Sequence, residues 1–527
     1  MKWRVGFFLV ISFVFACTNK YDNSNLNIFR YNESNGISTL DPAFAKDKAT
    51  IWATSQIFNS LVKMDEDLKV KPSVASCWDV SENGLNYTFY LRKDVFFHDH
   101  EFFENGKGRR VVASDFVFSF NRLLSKDLAS PGSWVFNNVS SYTSINDTTL
   151  SITLNTPFPP FLSLLSMQYC SVVPLEVANS NNFRSHPIGT GPFQFQFWEE
   201  GVKLVLRKNK TYFEKENRVL LPYLDAVSIT FIKDKQSEFL SFLQGDIDFI
   251  SGIDPSYKDE ILERDGSLRE KYSDKINLQS LPFLNTEYLG FLMDGNTELS
   301  QNVHLRKAIN FAINKSKMLK YLRNNIGVPA TNGFVPLGMS SFSDSVIGYT
   351  YNLEKANNQL EKAGFPNGEG LDPIVLNTTS SYLDLCEFIQ SELKKIGIDL
   401  QIEVNPPSTH REMVATSKLI FFRASWIADY PDAENYLSLF YSKNFCPNGP
   451  NYTHFYNEEY DDLYEKSIVE TDVEKRSIMY QKLDKIIIEN AVIVPLYYDQ
   501  VLRFTHKNIS GFNFNAQNGL DLTKLIK

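Results

Sequence analysis

The sequence predicts an α/β protein built from more than one lobe, and three observations carry that expectation. Stretches that alternate apolar and polar residues interleave along the whole chain with stretches of helical spacing, the pattern of strands and helices packed in layers. At 527 residues the chain exceeds what a single hydrophobic core usually holds, so two or more lobes are expected. No internal repeat or low-complexity tract is visible, which argues against a solenoid or long flexible linkers.

The chain opens with Lys2 and Arg4, followed by an apolar run from Val5 to Ala16 and then Cys17. A run of about 12 residues is too short to span a bilayer as a stable helix, so 1–17 reads as an export signal. A cysteine directly after such a run has the form of the acylated first residue of a bacterial lipoprotein, which makes Cys17 the candidate lipid attachment point. Residues 18–27 are polar and suit a tether.

A short strand is expected over 28–31, then a helix that starts at Ala49 and ends near Lys63. Asn83-Gly84 lies between two alternating runs and signals a hairpin. A helix over 115–124 is expected with Ser114 as its cap. His98, His100 and Glu101 carry metal-ligand chemistry, but no third and fourth ligand stand at a recognisable spacing, so no metal is expected. Further helices are expected over 236–243, 306–325, 353–362 and 384–395, the last ended by Gly397.

The most informative stretch is 421–441. Phe421, Phe422, Ala424 and Trp426 suit a buried strand, Pro431 ends it, and helical spacing resumes from Ala433 to Tyr441. Arg423 and Asp429 stand at opposite ends of this unit, with Asp432 and Glu434 beyond it, where they are read as caps of the following helix. A strand of this length spans roughly 20 Å, comparable to a peptide of a few residues with a charge at each terminus.

The segment from Ala75 to His98 reads A-S-x-W-x-V-S-x-x-G-x-x-Y-x-F-x-L-R-x-x-V-x-F-H, and 112–122 reads V-A-S-D-F-V-F-S-F-N-R. With 187–193, 303–310, 391–398, 421–441 and 494–498, these segments resemble, in the same order and over nearly the whole chain, the periplasmic solute-binding proteins of oligopeptide and dipeptide ABC importers. The resemblance implies a two-lobed periplasmic binding protein fold, type II-like, with a hinge between the lobes. By that plan lobe I takes 28–50, 184–285 and 493–527, an inserted subdomain takes 51–183, and lobe II takes 286–492, with crossings near Pro282 and Pro495.

It also implies a site. Asp429 would take the ligand's α-amino group and Arg423 its carboxylate, to which a guanidinium fork is suited. Ser425 and Ile427 would give main-chain hydrogen bonds on one side of the ligand, Gly36, Ile37 and Ser38 on the other, and Trp426 would wall a side-chain pocket. Ser425 stands where glycine is common in the family, and Ile427 where some members carry a half-cystine. A binder that accepts many peptides must hold what all of them share, their main chain and charged ends, and adding the ligand as a strand does so.

The implied partners are a peptide ligand, the permease subunits of an ABC importer, and a membrane reached through the lipid anchor, for a monomer in the cell envelope. A net charge of −9 without clusters of Lys or Arg argues against nucleic acid. No Gly-x-Ser-x-Gly or His-Glu-x-x-His motif is present, so an enzyme such as a secreted hydrolase is not expected. No cofactor is expected, although the same fold can serve nickel, haem or an oligosaccharide. Cys77, Cys170, Cys386 and Cys446 leave one or two disulfides open.

Overall fold

The computed structural model describes residues 26–527 apart from 181, 255 and 256. The expected signal, Cys17 and most of the tether lie outside the described residues. Asn27, counted with the tether, is already docked, its N–H donating to Asp225 at 2.9 Å.

The strands that position the site are β1 (Ile28–Asn32), β2 (Ala75–Val80), β3 (Asn86–Leu91), β4 (Val139–Asn146), β5 (Thr149–Leu154), β6 (Phe193–Glu199), β7 (Lys203–Lys208), β8 (Ala226–Thr230), β9 (Phe249–Ser251), β10 (Ile276–Phe291), β11 (Ile374–Thr378), β12 (Leu400–Val404), β13 (Phe421–Ile427) and β14 (Ile493–His506). The main helices are α1 (Lys48–Ile57), α2 (Ala113–Leu124), α3 (Lys235–Gln244), α4 (Val303–Ala312), α5 (Lys315–Leu322), α6 (Leu353–Lys362), α7 (Leu383–Lys394), α8 (Glu458–Val469) and α9 (Val473–Glu489).

Among the described residues one sheet of 11 strands runs through the molecule in the order β12-β11-β13-β10-β14-β9-β1-β8-β7-β6, with the short strand Val328–Pro329 beside β14. Parallel pairs (β1 with β8 and β9, β11 with β12 and β13) flank the long antiparallel pair β10/β14. A separate antiparallel sheet, β2-β3-β5-β4, carries the inserted region. Its first hairpin turns at Asn83-Gly84, where Gly84 has φ +67 and so occupies the left-handed region open to glycine.

Three hydrophobic clusters account for the lobes. One joins β1, α1 and the inserted sheet with Phe193, Val227 and Phe249; two others lie on either side of the β10–β13 region and contain Leu289, Phe291 and Phe421, or Tyr288, Tyr436 and Phe440. Phe291 and Phe421 are register partners across β10 and β13, and their rings stack at 4.8 Å. Such a pair contributes about 0.5–1.5 kcal/mol beyond its buried area.

The pairing of β10 with β14 breaks between Pro282 and Thr286, whose partners are Gln500 and Tyr498. Val494, Leu496 and Tyr497 belong to the same core as Phe421, whereas Leu502 and Phe504 pack with Phe242 and Ile276. β14 therefore changes core between Tyr498 and Leu502, a few residues later than the expected crossing at Pro495. A bulge between adjacent strands gives the backbone a place to bend without separating them.

Several sequence expectations are corrected. The first helix ends at Ile57, because Phe58 adopts extended backbone. The cap of α2 is Val112, whose N–H donates to the Asp115 carboxylate at 2.9 Å, and not Ser114. The helix expected over 306–325 is two, since the Asn314 side chain accepts from the Lys317 N–H at 2.9 Å and starts a new one. The helical stretch after Ala433 is one short turn, Glu434–Leu437, continued as 3-10 helix. The four cysteines of the described residues are free thiols, Cys77 exposed and the other three buried, so the disulfides left open by the sequence do not form among them.

His98 is 4% exposed, with Nε2 against the Gly191 carbonyl at 3.0 Å. Burial lowers its pKa to about 4, which suits a neutral structural ring. Its neighbour Gly189 packs so closely that a Cβ there would stand 2.1 Å from the Ile57 carbonyl oxygen. Gly189→Ala is expected to lower unfolding stability by about 1–3 kcal/mol in a urea titration, because backbone at this distance cannot move aside cheaply.

Candidate functional site

β13 forms because Phe421 and Phe422 point to opposite faces and both faces are covered there, Phe421 in the core with Leu289 and Phe422 beside Val414 and Leu419. The cover thins along the strand: Ser425 and Trp426 are half-buried and Ile427 is 52% exposed. One edge of β13 pairs with β10 throughout, from Phe421 to Ile427. The other pairs with β11 only at Phe422, through Asn377.

The pairing alternates, which decides which main-chain groups are free. Ala428 donates to Leu284, and Leu292 donates to Ile420, so the even-numbered residues face β10. The odd-numbered ones face the open edge, as the Arg423 carbonyl confirms by accepting from His410 at 2.9 Å. Ser425 and Ile427 therefore present their N–H and C=O groups outward, with no protein partner among the described residues.

Asp429 lies just past the end of this edge. It is solvent-exposed, yet the surrounding protein raises its carboxyl pKa, the combination expected of a group at the base of an open cleft. Its polar neighbours are neutral. The buried Asn435 accepts from the Asp429 N–H at 3.2 Å and from the Trp426 indole at 2.9 Å, and turns its amide toward the carboxylate at 3.5 Å. Among the described residues Asp429 takes part in no ion pair.

Across from it, Tyr169 of the inserted region has its hydroxyl pushed up to about 12, by burial first and then by the charges of Asp429 and Asp47. It therefore remains a protonated donor. Gly132 makes room for that ring, since a Cβ there would stand 2.3 Å from it. Trp134 approaches Tyr430 at 6.4 Å between ring centroids. Gln517 donates to the Asp429 carbonyl at 3.2 Å.

Trp426 rests partly against the core that holds Tyr436, so its indole is tied into lobe II by packing and by Asn435. Asp432 does cap the following turn, accepting from the Glu434 N–H at 3.0 Å. Glu434 does not cap: it is 7% exposed, held by the hydroxyls of Tyr430 and Tyr464, and burial raises its pKa.

The structure spends Arg423 on a different partner from the one expected. It is 9% exposed, hydrogen-bonded to buried Glu287 on β10, and its guanidinium lies 3.2 Å from the centre of the Tyr382 ring. Its Nε has no hydrogen-bond partner among the described residues. Arg323 and Asp499, paired at 2.8 Å, lie beside this group and link it to β14 through Tyr497. The expected ligand carboxylate is thus replaced by an internal one.

Gly36, Ile37 and Ser38 follow the carboxyl end of β1 as irregular chain, with Gly36 at φ +72 and donating to Glu33. The main-chain groups of Ile37 and Ser38 make no hydrogen bond among the described residues, to Ser425 and Asp429 included. Nearby, Asn32, Glu33, Lys48, Trp52, Lys235 and Ser251 line a polar recess. Open ends of parallel strands on two lobes are where α/β proteins bind ligands. Sequence reading missed Asn435, Tyr169 and Glu287, since each reaches the site from a separate element.

A two-lobed α/β fold with an unpaired strand edge and an uncompensated carboxylate at its end defines a binding protein. The chain belongs to the bacterial extracellular solute-binding proteins of family 5, whose middle-region profile matches residues 69–445. It is 27% identical over 507 residues to the haem-binding protein A of Haemophilus influenzae, covering 91% of this chain and 88% of that one. It is 25% identical to the dipeptide-binding protein of Escherichia coli, covering 86% of each. Among solved structures it is similar to the ABC transporter-associated periplasmic binding protein DppA from Helicobacter pylori in complex with the peptide STSA, with a TM-score of 0.76, 27% identity and coverage of 95% of this chain and 98% of that chain.

Proposed function

We propose that this protein captures extended peptides and delivers them to an ABC importer. The ligand adds as a strand along the open edge of β13, its main chain bonded to Ser425 and Ile427, while Gly36, Ile37 and Ser38 approach from the other lobe. Asp429 takes the α-amino group, with Asn435 positioning it and Trp426 forming one wall. The observation that carries this reading is Asp429 itself, an exposed carboxylate of raised pKa that takes part in no ion pair among the described residues and lies beside free main-chain groups. The peptide complex of the Helicobacter pylori relative supports the substrate class. A lipid on Cys17 would hold the protein at the membrane on the periplasmic side, which rests on the sequence of the first 17 residues.

Calorimetric titration with a tripeptide and its N-acetylated form tests the reading. The free peptide is expected to bind at least about tenfold more tightly, because acetylation removes the cation that Asp429 pairs. Equal affinity for both forms would overturn the amine anchor. Haem is the second titrant, given the Haemophilus influenzae relative; thermal stabilisation by haem and by no peptide would reassign the ligand.

A further inference from the structure

The other end of β13, roughly 20 Å from Asp429, carries a second constellation. Cys446 Sγ lies 3.3 Å from His454 Nε2 and 3.1 Å from Ser417 Oγ. His454 Nδ1 lies 2.6 Å from the Asp294 carboxylate. A sulfur, an imidazole and a carboxylate in sequence is the order in which a base-assisted nucleophile is built.

The ring's surroundings orient it toward the sulfur. Nδ1 faces a carboxylate, and Nε2 faces the Cys446 carbonyl oxygen at 3.0 Å. The carboxylate fixes a hydrogen on Nδ1, which leaves Nε2 facing the Ser417 hydroxyl and the Cys446 thiol, the position of a base. Ser417 Oγ, 3.0 Å from Nε2, can accept from the ring and donate to the sulfur. The Val414 carbonyl, at 3.8 Å from the sulfur, is a more distant acceptor than His454 Nε2. Phe445 stacks on the imidazole at 4.6 Å with planes 9° apart and fixes its tilt.

We propose that Cys446, His454 and Asp294 form a thiol-modification site, separate from the peptide cleft, that reacts with low-molecular-mass disulfides. His454 Nε2 takes the thiol proton as the sulfur attacks. The sulfur attacks one sulfur of the disulfide, a new S–S bond forms as the old one breaks, and the departing thiolate takes the proton from His454. The products are a mixed disulfide on Cys446 and one free small thiol, with no outside oxidant. Cys446 is 4% exposed while the Asp294 side chain is 55% exposed, so Asp294 marks the side of the site that faces solvent.

The same chain supplies its own references: Cys77 is exposed beside Ser76 and its cross-strand partner Tyr90, and Cys170 and Cys386 are buried with no histidine partner among the described residues. The full chain is treated with 2-hydroxyethyl disulfide at neutral pH and the adduct at each cysteine is followed by peptide mass mapping. Cys446 is expected to exchange at least tenfold faster than Cys170 and Cys386. His454→Gln is expected to remove that lead while the rate at Cys77 stays the same. A Cys446 rate equal to that of Cys386, or one unmoved in a cooperatively melting His454→Gln variant, overturns the proposal. Should that variant fail to fold, the exposed Asp294→Asn decides: a slower Cys446 beside an unchanged Cys77 supports the site, and an unchanged Cys446 overturns it.

Discussion

Asp429→Asn weakens binding of a free tripeptide at least about tenfold and abolishes the difference between that peptide and its N-acetylated form. The substitution keeps the shape and removes only the charge, so Asn435 and Trp426 stay in place and main-chain bonding to Ser425 and Ile427 is retained. What is lost is the counter-ion of an amine that closure of the lobes takes out of water, and an unpaired charge in such a site costs about 2–5 kcal/mol. Titration of both peptides against both proteins forms a double-mutant cycle, and additive losses would mean that Asp429 does not contact the amine. The carboxyl's raised pKa adds a pH test. The charged form binds, so affinity falls as pH drops through that raised value, and in calorimetry the loss begins at a higher pH than for an ordinary aspartate, whose pKa is about 3.9.

Glu287→Ala destabilises the fold by about 3–5 kcal/mol in urea unfolding, because it leaves the Arg423 guanidinium buried without its carboxylate. The Tyr382 ring remains but is a weaker partner than a carboxylate. Asn285 and Asp499 would be drawn toward the gap, since Asn285 donates to Asp499 at 3.2 Å. The double variant Glu287→Leu, Arg423→Met removes both charges and is expected to recover most of the loss. A single variant as stable as the parent would show that Arg423 finds solvent, and would return it to the cleft as a candidate for the ligand carboxylate.

Local features were legible in the sequence wherever one environment governs a whole segment. The hairpin at Asn83-Gly84 and the helix Leu353–Lys362 each bury one consistent face, so periodicity identifies them, and the strand at Phe421 shows as a short apolar run ended by Pro431. β10 and β14 escaped because each passes from one core to another partway along its length, and the pattern changes with the surroundings. Asn314 escaped as a boundary because its capping bond to Lys317 lies inside an apolar period that continues on both sides. In the cleft, Asp429 and the main-chain roles of Ser425 and Ile427 could be proposed from one contiguous motif. The partner of Arg423 lies 136 residues away and that of His454 lies 160 away, and no local pattern encodes such pairings.

The bulge at Pro282–Thr286 bears on how the chain is partitioned. Thr286 and Tyr498 face each other in register, so the segment between them leaves and re-enters the rest of the protein at neighbouring points on two adjacent strands. Residues 286–498 thus amount to a closed excursion, with entry and exit side by side. A short turn joining the flanking residues 285 and 499 would bridge the gap left by its removal, and the excised piece would begin and end on one paired edge. A second lobe with a different strand edge, grafted at this seam, would enter and leave on paired residues of the same two strands.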